Sequence, residues 1–400
     1  MIDQGTPKAH LSFDNTETAF RYKTDQELFR AAFIFSVVNI GWISALATGL
    51  VRAGIKLKLP ITGLIRSTVF KHFCGGQTMQ ESLQTAERLG AYGVQTILDY
   101  SVEGENSEAD FEQACVAIIN IFDLATITPY VPFCVFKMTA IADAAVLAKL
   151  NSGEILTPDE QESFMRSKVR VQRICTKAQE TNIPVLIDAE ESWIQGPIHT
   201  LAVEMMQLFN REKCLVYNTY QMYCNDMRAR LEADFNQAEA NGYLMGVKLV
   251  RGAYMEKERE RAASMDYPDP IHPTKQDTDN AFDEAMEFCV RMPGIRLVCG
   301  SHNEASNMKL TRLMDTHQIS PSDNRIWFSQ LLGMSDHISF NLSNLGYQVV
   351  KYVPFGPVRS VMPYLIRRAE ENTSVAGQSS RELVLIRREI QRRKSLRRKA

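Results

Sequence analysis

The sequence predicts an α/β protein whose main body is a (β/α)8 barrel, and three observations carry that expectation. Short, apolar, β-branched runs recur eight times between residues 93 and 356. Segments of helical period separate them, long enough for each strand to cross over and return parallel. The runs are almost continuously apolar, as in a sheet buried on both faces. An open doubly wound sheet would call for a glycine-rich phosphate loop after an early strand, and no GxGxxG occurs.

The strand-like runs are GVQTILDY (93–100), YVPFCVFKM (130–138), IPVLIDAE (183–190) and CLVYNTYQM (214–222). They continue with YLMGVKLVRG (243–252), IRLVCGSHN (295–303), RIWFSQLLG (325–333) and YQVVKYVPFG (347–356). Helical patterns lie between them, among them SEADFEQACVAIINIFD and TDNAFDEAMEFCVRM. Thr157, Pro158 and Glu160 form a capping box with proline at the first helical position. Residues 1–90 read as an N-terminal helical segment, and residues 91–400 as the barrel with a basic C-terminal tail.

Composition bounds the function. The 400 residues are 45% hydrophobic and 23% charged, with net charge −2, which gives no global pull toward nucleic acid. The tail from Arg387 to Lys399 is strongly basic and reads as a solvated helix end, with anionic lipid or RNA as its other use. Eight scattered cysteines without CxxC, and histidines without HExxH, argue against a metal site and for small core thiols in a reducing compartment. Ala31–Val51 is uncharged and long enough to cross a bilayer, but Asn39, Gly41, Gly49 and several alanines dilute it. It is expected to form packed or membrane-touching helices instead.

A barrel places its active residues at the C-terminal ends of its strands. Lys137 closes the second run and Asp188 the third; Asn218 and Gln221 end the fourth, and Lys248 and Arg251 the fifth. His302 and Asn303 follow the sixth, Gln330 the seventh and Tyr352 the eighth. Lys137 is the one charge in a long apolar run, so its ammonium needs a partner, for which Asp188 or a bound carboxylate is a candidate. Near the C-terminus, YLIRRAEEN (364–372) sets Arg367 and Arg368 four and three residues before Glu371. Read alone, this is either a solvated charged face or an anion clamp.

Together VRGAY (250–254), IDAEES (187–192), SHN (301–303) and YLIRRAEEN resemble the proline dehydrogenase family, in the correct order and over nearly the whole chain from about Leu11. The resemblance implies a distorted (β/α)8 barrel with its last helix across the mouth. It also implies FAD-dependent oxidation of L-proline to Δ1-pyrroline-5-carboxylate, with a membrane quinone as electron acceptor. A separate pyrroline-5-carboxylate dehydrogenase would take the product. Arg367, Arg368 and Lys137 would hold the substrate carboxylate, with Glu371 bracing the arginines and Asp188 in the same charge network. Tyr352 and Tyr364 would wall the substrate site. Asn218 and Lys248 would meet the isoalloxazine, and Arg251, Gly252, Ala253 and Tyr254 would follow the ribityl and diphosphate. Ser301, His302 and Asn303, with Gln330 and Leu331 nearby, would reach the ADP portion.

Many bacterial members of that family carry arginine at the position of Lys248 and glutamine at that of Asn218; this sequence is closer to the mitochondrial form. Its opening residues are not arginine-rich, so the expectation is a bacterial cytoplasmic enzyme, peripheral on the inner membrane, or a mitochondrial one if eukaryotic. Two alternatives stay open. A trans-4-hydroxy-L-proline dehydrogenase of the same family would carry a smaller residue than Tyr352. A Schiff-base aldolase would use Lys137 or Lys248 as its nucleophile.

Overall fold

Eight parallel strands close into a barrel in chain order, the first pairing with both the second and the eighth. They are β1 Gln95–Tyr100, β2 Phe133–Lys137, β3 Val185–Asp188, β4 Val216–Gln221, β5 Met245–Val250, β6 Ile295–Gly300, β7 Ile326–Leu331 and β8 Val349–Phe355. Each lies inside one of the eight expected runs. The computed structural model describes residues 11–38, 62–101, 107–367 and 378–399. Arg368 and Glu371, and the part of Ala31–Val51 beyond Val38, lie outside the described residues. No described helix is long and apolar enough to cross a membrane.

Successive side chains of a strand point to opposite faces, and the two faces carry different cores. Ile97, Phe133, Val135, Leu186, Tyr217, Val298, Trp327, Val350 and Tyr352 fill the barrel interior. Their outward neighbours, such as Leu98, Cys134, Ile187, Val216, Val247 and Val353, join the larger core beneath the helices. Both faces are therefore dry, which is why the runs read as continuous apolar segments. Helix starts follow the capping signals. Thr157 accepts from the Glu160 N–H at 3.3 Å and the Glu160 carboxylate accepts from the Thr157 N–H at 2.9 Å, opening Pro158–Thr181.

The two chain ends pack together. Ala19, Phe20, Leu28, Ala31 and Phe35, from the helices Thr16–Phe20 and Asp25–Val38, bury against Leu383, Leu385 and Ile386 of the helix Gln378–Lys399. Here the sequence reading of the tail needs correction. It is not simply a solvated helix end. Glu389 is fully buried, accepting from the Thr16 hydroxyl at 3.0 Å and from Arg392 and Arg393 at 2.8 Å. Arg393 also donates to the carbonyls of Phe20 and Lys23, both at 2.9 Å. A period of four hides Glu389 under a row of arginines that sequence alone reads as uniformly wet.

Candidate active site

A cavity of about 570 Å³ opens at the C-terminal ends of the strands, the end that a parallel barrel reserves for its site. Its centre is a buried charge cluster. Asp188, the last residue of β3, accepts from the Lys248 ammonium through Oδ1 and from the Tyr352 hydroxyl through Oδ2 at 2.9 Å. Lys137 lies 3.7 Å from the same carboxylate, donates to the Tyr352 oxygen at 3.2 Å, and sits 3.5 Å from Asp99. Both ammonium groups also stand near the Tyr352 ring, 5.0 and 5.7 Å from its centroid. Burial alone would raise the Asp188 carboxyl. Lys248 and Lys137, with the hydrogen bonds from Lys248 and Tyr352, outweigh it and hold the carboxyl below its ordinary value.

Of the sequence-predicted residues, Lys137, Asp188, Lys248, Tyr352, Tyr364 and Arg367 line this one cavity. So do Arg251, Gly252, Ala253, Tyr254, Ser301, His302, Asn303, Gln330 and Leu331. Tyr364 and Arg367 are three apart in residues 362–367, which are helical, so one helix face presents both. Arg251 extends over the Phe282 ring and donates to Asp279 at 2.6 Å, Ser301 at 2.9 Å and Ser306 at 2.9 Å. Gln330 donates to the Ser301 carbonyl at 3.1 Å and accepts from Ser339 at 2.8 Å, so it positions the end of β6. Asn303 caps the helix Glu304–Thr316, accepting from the Ser306 N–H at 3.1 Å. Gly252 has φ 141°, and a Cβ there would lie 2.4 Å from the Tyr223 ring, so only glycine lets the β5 loop turn along the cavity.

Asn218 is the exception. It is fully buried on the outward face of β4, where its amide donates to His199 Nδ1 at 2.9 Å and His199 Nε2 faces Asp234 at 2.9 Å. It does not line the cavity; Thr219 and Gln221, of opposite parity on the same strand, do. A shift of one residue flips a strand side chain to the other face, and the polar cluster YNTYQ does not reveal its own parity.

Other lining residues escaped the sequence reading: Thr219, Lys275, Glu304, His337 and Arg381. Asp99, which supports Lys137 from the end of β1, was also missed. It carries the same signal as Asp188, a first charge after an apolar run. Arg381 and His337 show no such signal, because a helix from the far end of the chain brings Arg381 within 2.9 Å of Glu304, itself 3.0 Å from His337.

The cavity suits an anionic dinucleotide. Lys137, Lys248, Arg251, Lys275, Arg367 and Arg381 line it, against the carboxylates of Asp188 and Glu304. The N-terminus of the helix Glu304–Thr316 opens onto it, with Ser301 to Ala305 along the wall, an arrangement that favours phosphate. Among the described residues no group of three His, Cys, Asp or Glu side chains could hold a metal ion. Lys137 and Lys248 direct their ammonium groups at carboxylates, an arrangement suited to holding anions rather than to nucleophilic attack on a carbonyl.

A family model described as proline dehydrogenase matches residues 82–381. The chain belongs to the proline dehydrogenase family. Within that family it is 32% identical to proline dehydrogenase 1, mitochondrial, of Dictyostelium discoideum, over 95% of this chain and 74% of the relative. It is also 32% identical to the carbapenem antibiotics biosynthesis protein CarD of Pectobacterium carotovorum subsp. carotovorum, over 83% of this chain and 86% of that one. Proline utilization A from Bdellovibrio bacteriovorus superposes with a TM-score of 0.70 at 20% identity, over 92% of this chain. The chain spans 40% of the length of that protein, and the likeness is one of fold. The closed barrel is thus the proline dehydrogenase fold, and the motif order along the sequence follows its strand order.

Proposed function

We propose that this proline dehydrogenase family member is an FAD-dependent enzyme that oxidises L-proline to Δ1-pyrroline-5-carboxylate. The observation that carries the reading is the meeting of Lys137, Asp188, Lys248 and Tyr352 with Arg367 in one cavity, although they come from four strands and a helix. Arg367, Arg368 and Lys137 would grip the substrate carboxylate, and Glu371 would brace the arginines. Asp188 holds Lys137, Lys248 and Tyr352 in register, so the cations keep fixed positions instead of reorganising as substrate binds. The Tyr352 ring would lie against the pyrrolidine, and Tyr364 would wall the site. Bound FAD would supply the two-electron acceptor. Lys248, Arg251, Gly252, Ala253, Tyr254, Ser301, His302, Asn303, Gln330 and Leu331 would hold it.

In this reading a membrane quinone takes the electrons onward, at the surface of the membrane that carries it, and a separate dehydrogenase consumes the product. The decisive experiment is a flavin spectrum of the purified chain before and after anaerobic L-proline. Bleaching of the visible band is expected; a colourless protein that cannot take up FAD would overturn the assignment. Tyr352→Ser tests substrate choice by opening space beside the ring. The ratio of kcat/KM for L-proline to that for trans-4-hydroxy-L-proline should fall severalfold, and an unchanged ratio removes Tyr352 from that role.

A further inference from the structure

The helices Asp25–Val38 and Gln378–Lys399 lie antiparallel: Arg387 donates to the Ser36 hydroxyl at 3.3 Å, while Arg397 ion-pairs with Asp25 at the opposite end. Their facing sides form the apolar seam described above. Their outer sides have a different character. Phe29 and Phe33, four apart on one helix, are 50% and 64% exposed. Arg387, Gln391, Lys394 and Arg398 follow one stripe of the other helix, at i, i+4, i+7 and i+11, and all are exposed. The two rows adjoin, because the Lys394 ammonium sits 5.6 Å from the Phe29 ring centroid.

Most cations of this helix are already neutralised: Arg381, Arg388, Arg392, Arg393 and Arg397 pair with carboxylates. Arg387, Lys394 and Arg398 have no ion-pair partner among the described residues, and the acids of their own helix, Glu382 and Glu389, are buried. Exposed aromatic rings at helical spacing gain little in water and gain burial in lipid. A parallel row of unpaired cations supplies the complementary attraction to anionic headgroups. Further along the sequence, residues 39–51, NIGWISALATGLV, carry no charged side chain. The family match ends at residue 381, so the basic stripe lies outside the part of the chain that it covers.

We propose that this helix pair is a docking face for an anionic lipid surface, with Phe29 and Phe33 inserted at the acyl boundary and Arg387, Lys394 and Arg398 on the headgroups. It deepens the quinone reading by naming the face that meets the membrane, but its test does not depend on that reading. Flotation of the full-length, oxidised protein is measured with phosphatidylcholine vesicles, with and without phosphatidylglycerol. The wild type should float with the anionic vesicles, and added salt should release it. Lys394→Glu with Arg398→Glu should lower the partition coefficient on anionic vesicles by ~20-fold or more. Phe29→Ser with Phe33→Ser should lower it at least tenfold at low salt, where the wild type is bound.

Both double variants should keep the wild-type rate of L-proline oxidation with a soluble dye, which shows that they fold. No flotation of the wild type, or unchanged flotation of both variants, would overturn the proposal. So would unchanged flotation joined to a loss of self-association by light scattering, which would make the face an interface between two copies. A wild type that floats but oxidises no proline would leave the docking face standing and remove the quinone reading.

Discussion

Asp188 and Glu190 lie two residues apart at the end of β3, both buried, yet their environments push their carboxyls in opposite directions. Lys248 and Lys137 keep Asp188 below the ordinary value of 3.8 despite its burial. Between that depressed value and 3.8 the folded chain binds fewer protons than the unfolded one, so stability there rises with pH. The contribution is complete above 3.8 and is lost as pH falls through the folded value. Asp188→Asn should flatten that acid limb and, by leaving two ammonium groups short of a partner, cost about 3 kcal/mol near neutrality in urea melts.

Glu190 is pushed up to about 7 by burial, against hydrogen bonds from Thr139. Its sign is reversed. Between 4.5 and about 7 the folded chain binds more protons, so stability falls as pH rises across that window. Glu190→Gln should therefore gain stability relative to wild type on going from pH 5 to pH 8. Parallel melting curves at the two pH values would expose an error in this assignment if the difference between the proteins stayed constant.

At the scale of single elements, strand parity decides what a residue can do. On β8, Tyr352 turns inward to Asp188, while its neighbour Lys351 turns outward and is fully buried against Asp336 at 3.0 Å. On β4, the same alternation sends Asn218 out to His199 and Thr219 in to the cavity. Asn218→Ala should consequently behave as a structural lesion, costing about 1–3 kcal/mol in urea melts and leaving FAD affinity as in wild type. A large loss of FAD affinity at unchanged stability would return Asn218 to the cofactor. The eight strands and the Thr157 cap were legible because apolar period and capping chemistry are local. Parity was not, because YNTYQ places polar groups on both faces and only the neighbouring strands decide which face is which.

At the scale of the whole molecule, the barrel is fastened to both chain ends by buried charge. Asp336 accepts from the Tyr22 hydroxyl at 2.8 Å and pairs with Lys23 at 3.2 Å and Lys351 at 3.0 Å. Glu382 accepts the Ser335 N–H at 3.0 Å, tying the C-terminal helix to the same corner, and Arg381 beside it lines the cavity. Removing residues 378–400 would expose the partners of Leu383, Leu385 and Ile386, each worth ~1.5–3 kcal/mol when buried. This truncation should lower the urea midpoint sharply and weaken FAD binding together with it. A truncated chain with wild-type stability would show that the helix is an ornament of the barrel rather than part of its clasp.

The sequence by itself determined the (β/α)8 architecture, the strand ends at which the site lies, and most of the cations and aromatic rings that line it. The architecture and the strand-end residues follow from periodicity and one rule, that a parallel barrel offers its strand C-termini to a ligand; Tyr254, Tyr364 and Arg367 came from the resemblance of VRGAY and YLIRRAEEN to the family. Only the tertiary structure decided that Asp99 shares Lys137 with Asp188, that Asn218 faces away, and that a C-terminal helix supplies Arg381 and buries Glu389. The reason is range. Contacts between residues tens to hundreds of positions apart depend on strand closure and helix docking, and no local pattern of residue types encodes them.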